Sequence, residues 1–71
     1  MKAKYKVGDE VKVAKSCEND SYDSFRDQIL TVSHVATNSS QHPGFDSGVN
    51  EPLYDFEGIP CSLYQYELER A

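Results

Sequence analysis

The feature that most constrains this chain is the alternation of apolar and polar residues in short segments, with no long apolar run. In residues 10–15, Val11 and Val13 alternate with Glu10 and Lys12, the period-two pattern of a strand with one buried face. Apolar residues nowhere run longer than about three, so no transmembrane helix is expected. The pattern predicts a small domain built from short strands.

The second predicted strand covers residues 29–37, where Ile, Val and Thr give strong β propensity. Val35 falls out of phase with Val32 in this segment. A β-bulge near Ser33 and His34 would restore the phase, so we expect one there.

The C-terminal part is expected to add strands at 53–57 and 66–70, with a single helical turn at 60–65 between them. In the last strand the side chains are predicted to alternate, with Tyr66 and Leu68 inward and Glu67 and Glu69 outward.

Two polar segments separate the predicted strands. Residues 16–28 are rich in Ser, Asp and Asn, which favours a long irregular loop with Tyr22 and Phe25 folded back onto the core. One helical turn is the competing interpretation. Residues 38–51 are turn-rich, and either 44–49 forms a poor strand or the segment is a mobile surface loop.

The stretches KVGDEVKV at 6–13 and LYDFEGIPCSLYQYELE at 53–69 resemble the opening and the close of small bacterial and phage SH3-like barrel proteins of uncharacterised function. The resemblance implies a mainly-β fold, a small SH3-like barrel of about five short strands with one helical turn before the last strand. Residues 1–71 would form one such domain. Neither stretch carries an activity that transfers to this chain.

The letters LYDF at 53–56 also resemble the signature that opens the peptide-binding SH3 domain. In that family about fifty residues follow the signature and supply the Trp, Pro and Tyr of the peptide groove. Here only fifteen residues follow Phe56 and the chain has no Trp. We therefore interpret LYDF as a penultimate strand.

The charge is unevenly distributed along the chain. The net charge is −5, with five Lys against two acids in residues 1–15 and two Arg against ten acids in residues 16–71. Such an acidic surface repels phosphate backbones, so nucleic-acid binding is not expected. The sequence shows no secretory signal and only two cysteines, so we expect a cytoplasmic protein with reduced thiols and no membrane contact.

The residues that could bind metal lack the required spacing. A zinc set would combine Cys17, His34, His42 and Cys61, without a knuckle that preorganises any pair. A calcium loop would combine Glu18, Asp20 and Asp23, without the glycine and glutamate that complete an EF-hand. No metal and no cofactor is expected.

Catalytic residues are equally scarce, since Cys61 with His34 is the only nucleophile–base pair to consider. A packing role for Cys61 is favoured, and we expect no enzyme.

The aromatic residues exceed what the core needs and indicate a protein-binding surface. Four tyrosines are the candidates for it: Tyr22, Tyr54, Tyr64 and Tyr66. The expected function is that of a non-enzymatic interaction or accessory protein of phage, prophage or bacterial origin, a monomer or weak homodimer that binds another protein. The alternative is a nucleic-acid-binding accessory domain of the KOW or Tudor-like type, using aromatic platforms and the lysines Lys2, Lys4, Lys6 and Lys12.

Overall fold

The chain forms one sheet of five antiparallel strands in the order β4-β3-β2-β1-β5. The structure is a computed structural model that describes residues 2–17 and 20–71, without the side chains of Asp20 and Ser21. The strands are β1 (Glu10–Val13), β2 (Leu30–Ala36), β3 (Leu53–Phe56), β4 (Ile59–Tyr64) and β5 (Leu68–Arg70). The predicted mainly-β class is confirmed.

The two edge strands, β4 and β5, stand at opposite ends of the strand order, and the sheet is not closed into a barrel. The closed SH3-like barrel that the sequence suggested is therefore not confirmed by this topology. No helical segment in the described ranges has the length and apolar character needed to cross a membrane.

The first two strands form as their sequence predicts. Val11 and Val13 are buried and face the core, and β1 lies between β2 and β5 in the sheet. The β2–β3 register shifts between Val32 and His34, which confirms the predicted bulge. The shift brings Val35 back to the inner face, where it packs against the core.

The main core lies on the inner face of the sheet. It is formed by nine buried side chains: Tyr5, Val11, Val13, Leu30, Val32, Tyr54, Phe56, Leu63 and Leu68. A minor core on the outer face of β2, β3 and β4 consists of Ala36, Phe45 and Leu53, with Tyr64 packed against them. The two cores follow from strand alternation, because neighbouring residues of β3 point to opposite faces.

The helical turn predicted at 60–65 is wrong, because this segment is strand β4. Glu57 and Gly58 form the turn of a tight hairpin, and Gly58 has a φ of 74° that suits glycine. Beyond it, Leu63 is fully buried opposite Tyr54. Cross-strand pairing and burial thus outweigh the turn propensity of this segment. Pro60 is tolerated because β4 is an edge strand.

The helical turn lies further along the chain, as a 3-10 helix at Gln65–Glu67. The last strand is therefore shorter than the predicted 66–70. Tyr66 is exposed where an inward position was predicted, and Glu67 is buried where an outward position was predicted. Leu68 points inward as expected.

The segment predicted as an irregular loop at 16–28 contains a second 3-10 helix, Asp20–Phe25. The competing helical interpretation is thus the better one. Tyr22 and Phe25 pack against the main core, as predicted. Glu18 of the considered calcium loop lies outside the described residues.

The long segment between β2 and β3 contains turns and bends, and the strand considered at 44–49 is not formed. It folds over the outer face of β3 and β4, where Phe45 is buried in the minor core. Local side-chain bonds support its turns, since Asn38 and Asp46 accept hydrogen bonds from the backbone N–H of Ser40 and Gly48.

Candidate functional site

Two tyrosines at the junction of β4 and the following 3-10 helix form a stacked pair at the surface. Tyr64 ends β4 and packs against the buried Phe45, with 6.5 Å between ring centroids. Tyr66 lies in the 3-10 helix, and its ring is nearly parallel to that of Tyr64, with centroids 6.2 Å apart and an interplanar angle of 10°. Tyr66 is 61% exposed. The aromatic row thus runs from the minor core out to solvent.

The backbone and the hydroxyl of Tyr64 are both fixed by hydrogen bonds. Its backbone N–H donates to Oε1 of Glu67 at 2.9 Å. Its hydroxyl accepts a hydrogen bond from the backbone N–H of Asp46 at 3.0 Å. Tyr64 is therefore held from two sides and gives Tyr66 a rigid ring to stack on.

Glu51 precedes Pro52, which is hydrogen-bonded to the start of the 3-10 helix. The backbone N–H of Gln65 donates to the carbonyl of Pro52 at 2.9 Å, which places the segment that carries Glu51 beside the 3-10 helix. We call the rings of Tyr64 and Tyr66 together with the side chain of Glu51 the Tyr64–Tyr66 surface.

Two carboxylates act on Tyr66 at this surface. The carboxylate of Glu67 is the main cause of a raised pKa for Tyr66, and Glu51 adds to the effect. A nearby negative charge raises a tyrosine pKa because it disfavours the phenolate. The surface therefore favours a cationic group over an anionic one.

The other two candidate tyrosines lie elsewhere. Tyr54 is fully buried in the main core, so it is not part of an exposed surface. Tyr22 is half-buried against the main core, and its hydroxyl is hydrogen-bonded to Glu67. Burial first, and then the Glu67 carboxylate, raise the pKa of Tyr22 to about 12. Tyr22 thus contacts Glu67, the residue whose carboxylate accepts the backbone N–H of Tyr64.

Sequence reasoning missed the role of Glu67, the buried acidic side chain of the described residues. It accepts hydrogen bonds from Tyr22 and from the backbone of Tyr64. Its position three residues after the end of β4 is the spacing at which a Glu side chain reaches back to a helix start. That spacing was a usable signal, but the alternation in 66–69 pointed the other way.

A Ser–His–Asp cluster lies on the outer face of β3 and β4. His42 Nε2 is 3.1 Å from both Asp55 Oδ1 and Ser62 Oγ, and the Ser62 hydroxyl donates to Asp55. The backbone N–H of Gly44 donates to His42 Nδ1 at 2.9 Å, so the neutral ring carries its proton on Nε2. Nε2 then has no lone pair to accept the Ser62 proton. The cluster joins the long segment to the sheet and does not activate Ser62.

The considered pair of Cys61 and His34 is not brought together. Cys61 packs against the main core. His34 is exposed on β2, opposite Asp55 of β3, and its Nε2 is hydrogen-bonded to the carbonyl of Gln41. Cys17 also contacts the main core, while His42 lies on the outer face. Within residues 2–17 and 20–71 no group of three or more metal-ligating side chains is assembled.

Basic residues gather in a groove of about 380 Å³ between β1 and the segment that precedes β2. It is lined by Lys12, Lys15 and Arg26, together with Asp27 and the exposed Ile29. Lys12 lies 3.9 Å from Glu69, and Arg26 is bonded to Asp23. Because neighbouring carboxylates offset these charges, the groove is a weaker candidate than the Tyr64–Tyr66 surface.

Comparison of the chain with family models, with curated proteins and with solved structures gives no match.

Proposed function

We propose that this chain is a non-enzymatic protein-interaction domain and that the Tyr64–Tyr66 surface contacts its partner. The observation that carries the proposal is the ring of Tyr66, which is stacked on Tyr64 and remains 61% exposed. Tyrosines are enriched at interfaces because they offer a large apolar area with a polar tip. An accessory role in a bacterium, phage or prophage is part of the proposal and rests on the sequence resemblance alone.

The rigidity of the surface supports this function. Ordering a side chain on binding costs roughly 0.5–1.5 kcal/mol when the side chain is mobile beforehand. Tyr64 is already fixed by Phe45, Asp46 and Glu67. A partner that docks on this pair meets a surface that is largely preorganised.

We also propose that the fold is of the SH3-like type. The single helical turn directly before the last strand supports this, as does the pairing of that last strand with β1. The bulged β2 pairs with both β1 and β3 and so joins the two halves of the sheet. A crystal structure that superposes on an SH3-like barrel would support the proposal, and a flat sheet would overturn it.

Nucleic-acid binding is the second candidate, because an exposed tyrosine pair also suits base stacking. The carboxylates of Glu67 and Glu51 near Tyr66 repel phosphate groups. Of the lysines considered, Lys12 lies near Glu69, and Lys4 lies over the ring of Tyr5. Protein binding is therefore favoured.

A random peptide library selected on the immobilised protein tests the proposal. Clones that also bind the Tyr66→Ala variant are removed before sequencing. We expect peptides whose binding depends on Tyr66, and a selection that yields none would contradict the proposal. Tyr66 is exposed, so the substitution should leave the thermal midpoint nearly unchanged.

A labelled single-stranded DNA oligomer at low ionic strength is the parallel probe. Binding that Tyr66→Ala abolishes would favour the second candidate, and absence of binding would remove it.

A further inference from the structure

The chemistry of the Tyr64–Tyr66 surface also indicates what kind of side chain it accepts. We propose that it recognises an arginine of the partner protein, with the guanidinium stacked on the exposed ring of Tyr66 and paired with the Glu51 carboxylate. This inference rests on the proposed interaction function and adds the partner's chemistry to it.

The first support is the combination of an exposed aromatic face with nearby carboxylates. A cation over a tyrosine ring is attracted by the negative face of the ring. Glu67 follows Tyr66 in the chain, and the hydrogen bond from Gln65 to Pro52 brings the Glu51 segment alongside. The carboxylates of Glu67 and, to a smaller extent, Glu51 raise the pKa of Tyr66. The surface therefore complements a positive group, and a phosphate or a carboxylate would be repelled.

The second support is that the chain itself shows this recognition elsewhere. The two cations that the structure places over an aromatic ring both lie over Tyr5. Lys4 Nζ is 5.5 Å and Arg70 Cζ is 5.3 Å from the centroid of that ring. On Tyr5 the cations come from the chain, whereas the 61% exposed side chain of Tyr66 is available to a cation from a partner.

The choice of arginine over lysine follows from shape. A guanidinium is planar, so it stacks flat on an aromatic ring while its N–H groups remain free to donate to a carboxylate. A lysine ammonium is a point charge that keeps its hydration more strongly. The exposed ring of Tyr66 offers a flat apolar surface on which a planar group can stack.

The test uses peptides from the selection that depend on Tyr66. Each is synthesised with its arginines unchanged, replaced by lysine, or replaced by citrulline, which keeps the shape but carries no charge. We expect citrulline to weaken binding roughly threefold to thirtyfold, with lysine between the two. Equal affinity of the citrulline or the lysine form would overturn the arginine inference.

Variants of the protein complete the test. Tyr66→Phe keeps the ring and should bind nearly as well as the wild type, whereas Tyr66→Ala and Glu51→Gln should bind more weakly. Val7→Ala is the matched control, because Val7 is 62% exposed in the turn before β1, and its binding should be unchanged.

The two proposals fail in different ways. Tyr66-dependent peptides without arginine would overturn the arginine inference and leave the interaction function standing. A selection with no Tyr66-dependent peptide would overturn both.

Discussion

Tyr5 and Tyr54 pack edge to face in the main core, with 5.6 Å between their ring centroids, but their hydroxyl groups differ. The Tyr54 hydroxyl accepts from the backbone N–H of Tyr5 at 3.2 Å and donates to Gln65 Oε1 at 2.7 Å. The Tyr5 hydroxyl is buried with no hydrogen-bond partner among the described residues. Burial of an unpaired hydroxyl costs about 1–3 kcal/mol.

The two Tyr→Phe substitutions should therefore change stability in opposite directions. We expect Tyr5→Phe to raise the free energy of unfolding by about 1 kcal/mol and Tyr54→Phe to lower it by about 1–2 kcal/mol. Urea denaturation with an unchanged m-value measures both. A loss of stability in Tyr5→Phe would mean that its hydroxyl has a partner in solution.

Tyr22 predicts a stability change at alkaline pH. Burial and the Glu67 carboxylate raise its pKa from 10.0 to about 12 in the folded chain. Between these values the unfolded chain loses the proton and the folded chain keeps it. The stabilisation that follows from the raised pKa of Tyr22 is complete below pH 10 and is lost as the pH rises towards about 12.

Urea midpoints measured at pH 9 and pH 11 should fall less in Tyr22→Phe than in the wild type, since the variant lacks this titration. An equal fall of the urea midpoint in the two proteins would show that the pKa of Tyr22 is not raised by folding.

The 3-10 helix between β4 and β5 depends on the buried side chain of Glu67. Glu67→Ala removes the acceptor of the Tyr64 N–H and of the Tyr22 hydroxyl, and it should lower the free energy of unfolding by about 2–3 kcal/mol. Glu67→Gln keeps an oxygen acceptor and should cost about 1 kcal/mol. Chemical denaturation compares the two, and a glutamine variant as unstable as the alanine variant would contradict this account.

The strands that could be predicted are those in which buried apolar residues alternate with polar ones along the segment itself. β1 and β2 have one inward row of Val and Leu, and even the bulge before His34 follows from that pattern. β4 was missed although Ile59, Cys61 and Leu63 recur at every second position and contact the main core, because the segment after Gly58 was interpreted as a helical turn. The hairpin at Gly58 and the pairing with β3 decide its structure, and neither is a property of the segment alone.

Across the whole molecule, the main core covers the inner face of the sheet and the long segment covers the outer face of β3 and β4, and this decided how much of the candidate site was predictable. The excess of tyrosines in the sequence indicated a binding surface and named Tyr64 and Tyr66 among its candidates. Residue type alone could not distinguish these two tyrosines from Tyr54, which is buried. The stacking of Tyr64 and Tyr66 depends on the long segment that brings Phe45 onto Tyr64, a contact between residues distant in sequence.

The distribution of chemical-shift changes in a ¹H–¹⁵N spectrum, on titration with a Tyr66-dependent peptide, tests the proposed interaction face. We expect the changes to concentrate at Glu51, Tyr64 and Tyr66 and to weaken at high ionic strength. Val7 and the basic groove at Lys12 should remain unchanged. Changes centred on that groove, with none at Tyr66, would contradict the account.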